Sequence, residues 1–215
     1  MEERAETPQL IELTVTRFVD ALAGDQSAPG GGSASALAGA LGGALAAMVA
    51  GLTLGREKYA AYRDEMATLR EQAERLKAQL LGLVDADTAA YNRVTAAYRL
   101  PKQTEAQQGQ RAAAVQAAMQ EATQVPLATA EACGEVLELA AQAAAHGNRN
   151  AASDAAVAAL LAHAGLRGAV RNVQINLGGL RDEGYRLFAG TRAAELLAAG
   201  DAVLARALAA ADSGA

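Results

Sequence analysis

Tryptophan is absent from these 215 residues, and there are only two phenylalanines. With so few rings to stack on bases, and with a net charge of -5 and no dense basic patch, the chain is not built to bind nucleic acid. A single cysteine, Cys133, excludes an internal disulfide framework and fits a reducing compartment. It sits in an Ala-rich helical stretch and reads as a core residue rather than a nucleophile. Two histidines, His146 and His163, have no paired ligand spacing, so no metal site is expected. His146 precedes Gly147 at a helix end, where it suits the helix dipole. Strand patterns are nearly missing, and no serine has the strand–elbow–helix context of a hydrolase triad. The acidic, polar start MEERAETPQ does not resemble a signal peptide, and a cytoplasmic protein is expected.

Charge is also missing locally. From Gln26 to Gly55 there is no charged residue. Pro29-Gly30-Gly31-Gly32-Ser33 opens this run, and an Ala/Gly-rich apolar helix over about 33–54 follows. The proline and glycines stop a preceding helix and allow a tight turn, with φ > 0 expected at one or more of the glycines. Ser33 is the expected N-cap, and free N–H groups at such a helix start can hold an anion or a polarised oxygen. The run is long enough for a membrane span. It has few Leu, Val or Ile and no flanking aromatic or basic belt, so a buried central helix is expected and no membrane. Gly39 and Gly43 have the small-xxx-small spacing that lets helices approach closely, here taken to serve a homodimer.

Apolar spacing of three and four predicts helices through the rest of the chain. The first covers about 9–23, with Leu10, Ile11, Leu13, Phe18, Val19 and Leu22 on its apolar face, and Gly24 closes it. The third, about 56–99, carries the stripe Tyr59, Tyr62, Met66, Leu69, Ala73, Leu76, Leu80 and Leu83. Continued by fours, the stripe lands on Asp87 and Tyr91. A carboxylate at a core position needs a partner, a raised pKa or a ligand, which makes Asp87 a functional candidate. Asp85 lies off the stripe and reads as a solvated charge. Leu100-Pro101-Lys102 ends the helix; Thr104 with Gln107 forms a capping box for the fourth. Pro126 is expected to kink or divide that helix, with a fifth ending at His146. A sixth spans about 151–178, and 180–211 forms one or two more. On the sixth, Asp154 and Asn172 share a face but lie about 27 Å apart, so they serve opposite ends of a long ligand or different sites. Asn172 and Asn176, one turn apart, can grip one planar amide-like group or hold helices together.

These pieces resemble one family. PGGGS (29–33), GREKY (55–59), Asp87 with Tyr91, LPK (100–102), VPL (125–127), GNRNAASDAAVAAL (147–160) and NVQINL (172–177) are similar to motifs of the methenyltetrahydrofolate cyclohydrolase and formiminotetrahydrofolate cyclodeaminase family. The resemblance runs from about Phe18 to Asp182. Where the family often has a run of Lys, this chain has Arg56-Glu57-Lys58; Arg149 and Ala151 vary the Asn-rich loop.

The resemblance implies an all-α, single-domain helical bundle that dimerises through helices and binds a reduced folate as substrate, without a cofactor. It implies hydrolysis of 5,10-methenyltetrahydrofolate to the 10-formyl compound. A cyclodeaminase reaction on 5-formiminotetrahydrofolate, or folate binding without catalysis, are the alternatives. The formiminotransferase domains of bifunctional relatives are not in this sequence, which favours a stand-alone cyclohydrolase. Asp87 is the expected catalytic carboxylate and Lys58 a proton donor or water-orienting group. Asn148, Asn150 and Asp154 are expected to read the pterin or close the site; Ser153, Asn172, Asn176, Tyr59 and Tyr91 are further substrate contacts. Gly30, Gly31, Gly32 and Ser33, or Lys102, are expected to meet the anionic glutamate tail.

Overall fold

The computed structural model describes residues 9–213, and among them there is no strand. Six α-helices follow one another: α1 (Val15–Ala23), α2 (Gly31–Leu54), α3 (Arg63–Tyr98), α4 (Glu105–His146), α5 (Ala152–Leu177) and α6 (Glu183–Asp212). Short 3-10 turns occupy Leu10–Glu12, Glu57–Tyr62 and Arg149–Ala151. The expected helix at 56–99 therefore begins as a 3-10 turn. The expected first helix starts only at Val15, where Thr14 accepts the Arg17 N–H at 3.3 Å.

α2 is the axis of the bundle and packs against α3, α4 and α5. Its small residues are the reason. A Cβ added at Gly42 would lie 2.8 Å from the Ala158 carbonyl oxygen of α5. One at Gly165 would lie 2.7 Å from the Ser35 carbonyl oxygen, and one at Gly39 would lie 2.4 Å from Cys133 Sγ. Each helical glycine costs about 1 kcal/mol relative to Ala, and backbone-to-backbone packing over the helix length offsets it. Gly39 and Gly43 face α4 and α3 of the same chain, so their spacing serves the fold and not a dimer contact as expected. Half of the most apolar window of α2 is buried within the bundle. Its apolar character matches its place in the helical core.

The stripe on α3 is buried as its spacing predicts at Met66, Leu69, Ala73, Leu76 and Leu80, after which Val84 rather than Leu83 is fully covered. Tyr62 at its start is exposed and stacks on His146, with ring centroids 4.5 Å apart. The capping box at Thr104 and Gln107 forms as expected. Pro126, however, does not divide the chain: α4 runs unbroken for 42 residues with Pro126 buried inside it. The chain from 180 on forms one helix, α6, capped by Asp182 accepting the Tyr185 N–H at 2.9 Å.

Asp85 is not a solvated charge. Its Oδ1 accepts the Leu10 N–H at 2.5 Å, and its buried Oδ2 has no hydrogen-bond partner among the described residues. The contact ties the N-terminal 3-10 turn to α3. Phe18 then covers Ala36 and Val84 beside it, with Leu10, Leu13 and Leu22 packed around them, while Ile11 and Val19 point outward.

Candidate active site

The N-terminus of α2 meets the middle of α3 at a buried serine. Ser33 is not the N-cap; Gly30 is, and the helix starts at Gly31. None of the described glycines has positive φ, so the expected left-handed turn is absent. Ser33 lies inside the first turn, where its N–H donates to Asp87 Oδ2 at 2.9 Å. Its hydroxyl lies 2.8 Å from the Val84 carbonyl oxygen and 3.1 Å from the same Asp87 oxygen. A free N–H of the helix start thus holds a carboxylate, as helix N-termini do, but the anion is a side chain of the protein.

Gly32 is required by that contact. A Cβ there would stand 2.0 Å from Asp87 Oδ1. Burial pushes the Asp87 carboxyl above its usual range, and the two Ser33 hydrogen bonds oppose the shift without cancelling it. The result is a carboxylate held in place through Oδ2 and more basic than an ordinary aspartate.

Asp87 borders a cavity of about 230 Å³ that Gly30, Gly31, Tyr91, Asn172 and Asn176 also line. The two asparagines are oriented by the backbone. Asn172 Nδ2 donates to the Gly168 carbonyl oxygen at 2.9 Å, and Asn176 Nδ2 to the Ala122 carbonyl oxygen at 2.7 Å. A carbonyl accepts only from the amide nitrogen, so the carbonyl ends of both side chains are fixed as well. Asn176 ties α5 to α4, Asn172 bonds back onto α5 itself, and both line the cavity. Ser27, Ala28, Met119 and Ala122 also border it and were not singled out by sequence.

The remaining expected residues are elsewhere. Lys58 lies over the Tyr59 ring, 5.6 Å from its centroid, in the turn after α2. Tyr59 Oη accepts the Arg149 N–H at 3.0 Å. Asn148 is buried: its N–H donates to Thr53 Oγ1 at 2.8 Å, its amide reaches the Leu52 carbonyl oxygen, and its Oδ1 accepts from Asn150 N–H. It locks the loop to the C-terminal end of α2. Asn150 and Ser153 are exposed beside it, and Asp154 is half-buried in the first turn of α5. α2 has 24 residues, so roughly 36 Å separates this cluster from the Asp87 cavity. Within one chain, then, Lys58, Tyr59, Asn148, Asn150, Ser153 and Asp154 do not share a site with Asp87. Lys102 lies exposed in the α3–α4 loop, outside the cavity lining.

Cys133 is fully buried, and burial alone pushes its thiol up to about 12, so it is no nucleophile. Among the described residues, no three His, Cys, Asp or Glu side chains converge as a metal site would need.

The family model described as formiminotransferase-cyclodeaminase matches residues 14–195. The chain belongs to this family. It is 44% identical over 183 residues to a methenyltetrahydrofolate cyclohydrolase of Methylorubrum extorquens, covering 85% of this chain and 86% of that one. It is 34% identical over 177 residues to the formimidoyltransferase-cyclodeaminase of Mus musculus, covering 82% of this chain but only 33% of that protein. The fold matches the crystal structure of formiminotetrahydrofolate cyclodeaminase from Thermotoga maritima with a TM-score of 0.84 and 29% identity, over 94% of this chain and 97% of that one. All-helical architecture is thus common to the family and to this chain.

Proposed function

We propose that this protein is a methenyltetrahydrofolate cyclohydrolase of one-carbon metabolism. The observation that carries the reading is Asp87: a carboxylate fixed by Ser33, made basic by burial and facing a cavity, in a chain matching a cyclohydrolase over most of both lengths. The substrate is a cation delocalised over N5, the bridging carbon and N10. The Asp87 carboxylate stabilises that charge and takes a proton from water as its oxygen bonds to the carbon. The adduct then collapses: the C–N5 bond breaks, N5 takes the proton back, and the hydroxyl proton leaves as the formyl C=O forms. The products are 10-formyltetrahydrofolate and one proton released to solvent. Every step uses water and side chains, so the reaction itself requires no metal or redox cofactor.

The test is the near-ultraviolet absorbance of methenyltetrahydrofolate with and without protein. Catalysed decay supports the hydrolase, and binding without decay leaves a binding protein. Release of ammonia from 5-formiminotetrahydrofolate would instead establish the cyclodeaminase, which passes through the same cation.

The protein acts, in this reading, as a cytoplasmic homodimer. On α2 the positions 31, 34, 38, 41, 45, 48 and 52 form a stripe at spacings of three and four, and none is buried. Leu41, Met48 and Leu52 are 49%, 40% and 47% exposed, and Val157 and Leu160 of α5, which packs against α2, are exposed as well. A two-fold interface is self-complementary. Antiparallel pairing of this stripe about Leu41 sets Gly31 of one chain near Leu52 of its partner. The Asn148 loop is bonded to Leu52, so each Asp87 cavity then faces the partner's Lys58, Asn150 and Asp154 region. That arrangement gives the residues at the far end of α2 a place in the site.

A further inference from the structure

The Asp87 cavity, at about 230 Å³, is smaller than the roughly 300–1,000 Å³ usual for sites that enclose a drug-sized ligand. It does not end there. A second, open groove of about 680 Å³ shares Ser27, Ala28 and Tyr91 with it. The groove continues along α3 over Thr95 to Arg99 and ends at Leu100 and Pro101. Asp87, Tyr91, Thr95 and Arg99 are each four residues apart, so one row of neighbouring side chains, winding about 120° round the helix, runs from the reacting carboxylate to the guanidinium. The span is roughly 18 Å along the axis, before the reach of the Arg side chain.

The chemistry of this groove is one-sided. Among the described residues no carboxylate lines it, while Gln26, Ser27, Asn92 and Thr95 offer neutral hydrogen-bonding groups. Arg93 on the same helix is occupied, with Nε 2.7 Å from Glu121. Arg99 has no carboxylate partner among the described residues. Nor is Arg99 needed to cap α3, because Arg111 of α4 reaches the Tyr98 carbonyl oxygen with two contacts of 3.1 Å. The C-terminal end of a helix repels anions, and the whole chain carries -5, so an anion held here needs a cation beside it, and Arg99 is the cation that lines the groove.

We propose that this groove binds the glutamyl tail of the substrate, with Arg99 pairing its carboxylates and Tyr91 and Leu100 flanking the aminobenzoyl ring. The proposal rests on the folate reading above, and it moves tail recognition from Lys102 and the glycine turn to Arg99. Arg99 is then a specificity residue, remote from the bond that breaks.

The experiment compares two substrates, methenyltetrahydrofolate and the corresponding methenyltetrahydropteroate, which lacks the glutamate. In the wild-type protein the glutamate-bearing compound should have the lower KM by roughly 3–10-fold, the range of a solvent-accessible ion pair assisted by neighbouring hydrogen bonds. Arg99→Gln should remove that preference, leaving the pteroate KM and both kcat values unchanged. Arg99→Lys should keep part of it. An unchanged KM ratio in Arg99→Gln overturns the proposal, and so does an equal rise for both substrates, which would mark a structural role. Should Arg99→Gln fail to fold, the wild-type preference must shrink as salt rises, and a salt-independent ratio overturns the proposal. Action on neither compound defeats the folate reading itself. Equal action on both defeats only the tail assignment.

Discussion

Asn176 of α5 donates its amide to the carbonyl oxygen of Ala122 at 2.7 Å, four residues before Pro126 of α4. A proline has no N–H to give that carbonyl, and burial would otherwise leave it unsatisfied. The side chain from the next helix substitutes for the missing donor, so α4 continues and its Ala122 wall closes one side of the Asp87 cavity. Asn176→Ala should therefore cost about 1–3 kcal/mol in chemical denaturation. The same substitution in a Pro126→Ala background should cost clearly less, because an alanine N–H restores the helical bond. Additive losses would show that the two residues are independent.

Asp87→Asn should slow turnover by about 10²–10⁴-fold, far more than it weakens folate binding. The amide keeps the shape and can still accept from Ser33, but it is no base. Steady-state rates beside equilibrium titration check this, and wild-type turnover in the variant would leave Asp87 a purely structural residue.

The pH dependence follows from the raised pKa of Asp87, whose cause is burial. Activity needs the ionised form, so kcat/KM should rise with pH through a value above the ordinary 3.8 of aspartate. Stability runs the other way. The fold favours the neutral acid, so this contribution is fully present below the unfolded-state pKa and is lost as pH rises through the folded one. Compared with Asp87→Asn, the wild-type protein should lose stability across that window. Parallel denaturation curves at all pH values would contradict the shift.

Two neighbouring glycines should behave differently. Gly32→Ala puts a methyl group into the Asp87 carboxylate, where the Cβ would be 2.0 Å from Oδ1, and should reduce both turnover and stability. At Gly31 the nearest atom to an added Cβ is Asn172 Nδ2 at 3.7 Å. Gly31→Val should leave helical content nearly intact yet weaken folate binding by standing in the cavity. Circular dichroism beside titration separates the two, and equal affinity in folded Gly31→Val would remove that position from the site.

If two chains share each site, mixing inactive variants should restore activity. Asp87→Asn and Lys58→Ala subunits, unfolded and refolded together, should recover about one quarter of wild-type activity, since half the dimers carry one intact site. No recovery from a mixture shown to contain heterodimers would place Lys58 outside the reaction. A stable monomer in sedimentation at micromolar concentration would end the dimer reading.

Much of this was legible in the sequence, for identifiable reasons. Apolar spacing on α3 is local and long, so it exposed Asp87 as the acid in a core position. The capping box at Thr104 and the ends at Gly24 and Gly147 are equally local. The position of Ser33 was not, because a run of three glycines can enter a helix anywhere along it; here the helix begins three residues early, with Gly30 as N-cap, and that turns the expected cap into a carboxylate ligand. Asp85 looked solvated because its partner, Leu10, lies 75 residues away. Motif order also gave no hint that the Asn148 loop and the glycine turn stand at opposite ends of α2. Asn176 could have been anticipated in part: a buried proline within a helix demands a donor from outside it. Arg99 carried no motif, and only the groove beside Tyr91 drew it out.

Cys133, pressed between Gly39 and Gly165 with its thiol held protonated, gives the protein an internal clock for its own unfolding. A thiol-specific reagent meets no other cysteine in the chain and can reach this one only when α2, α4 and α5 separate. Labelling rates should therefore count global openings of the bundle and be nearly blind to motion at the substrate groove. Bound folate would then slow the clock by stabilising the closed bundle, which turns a mass measurement into a binding assay free of chromophores.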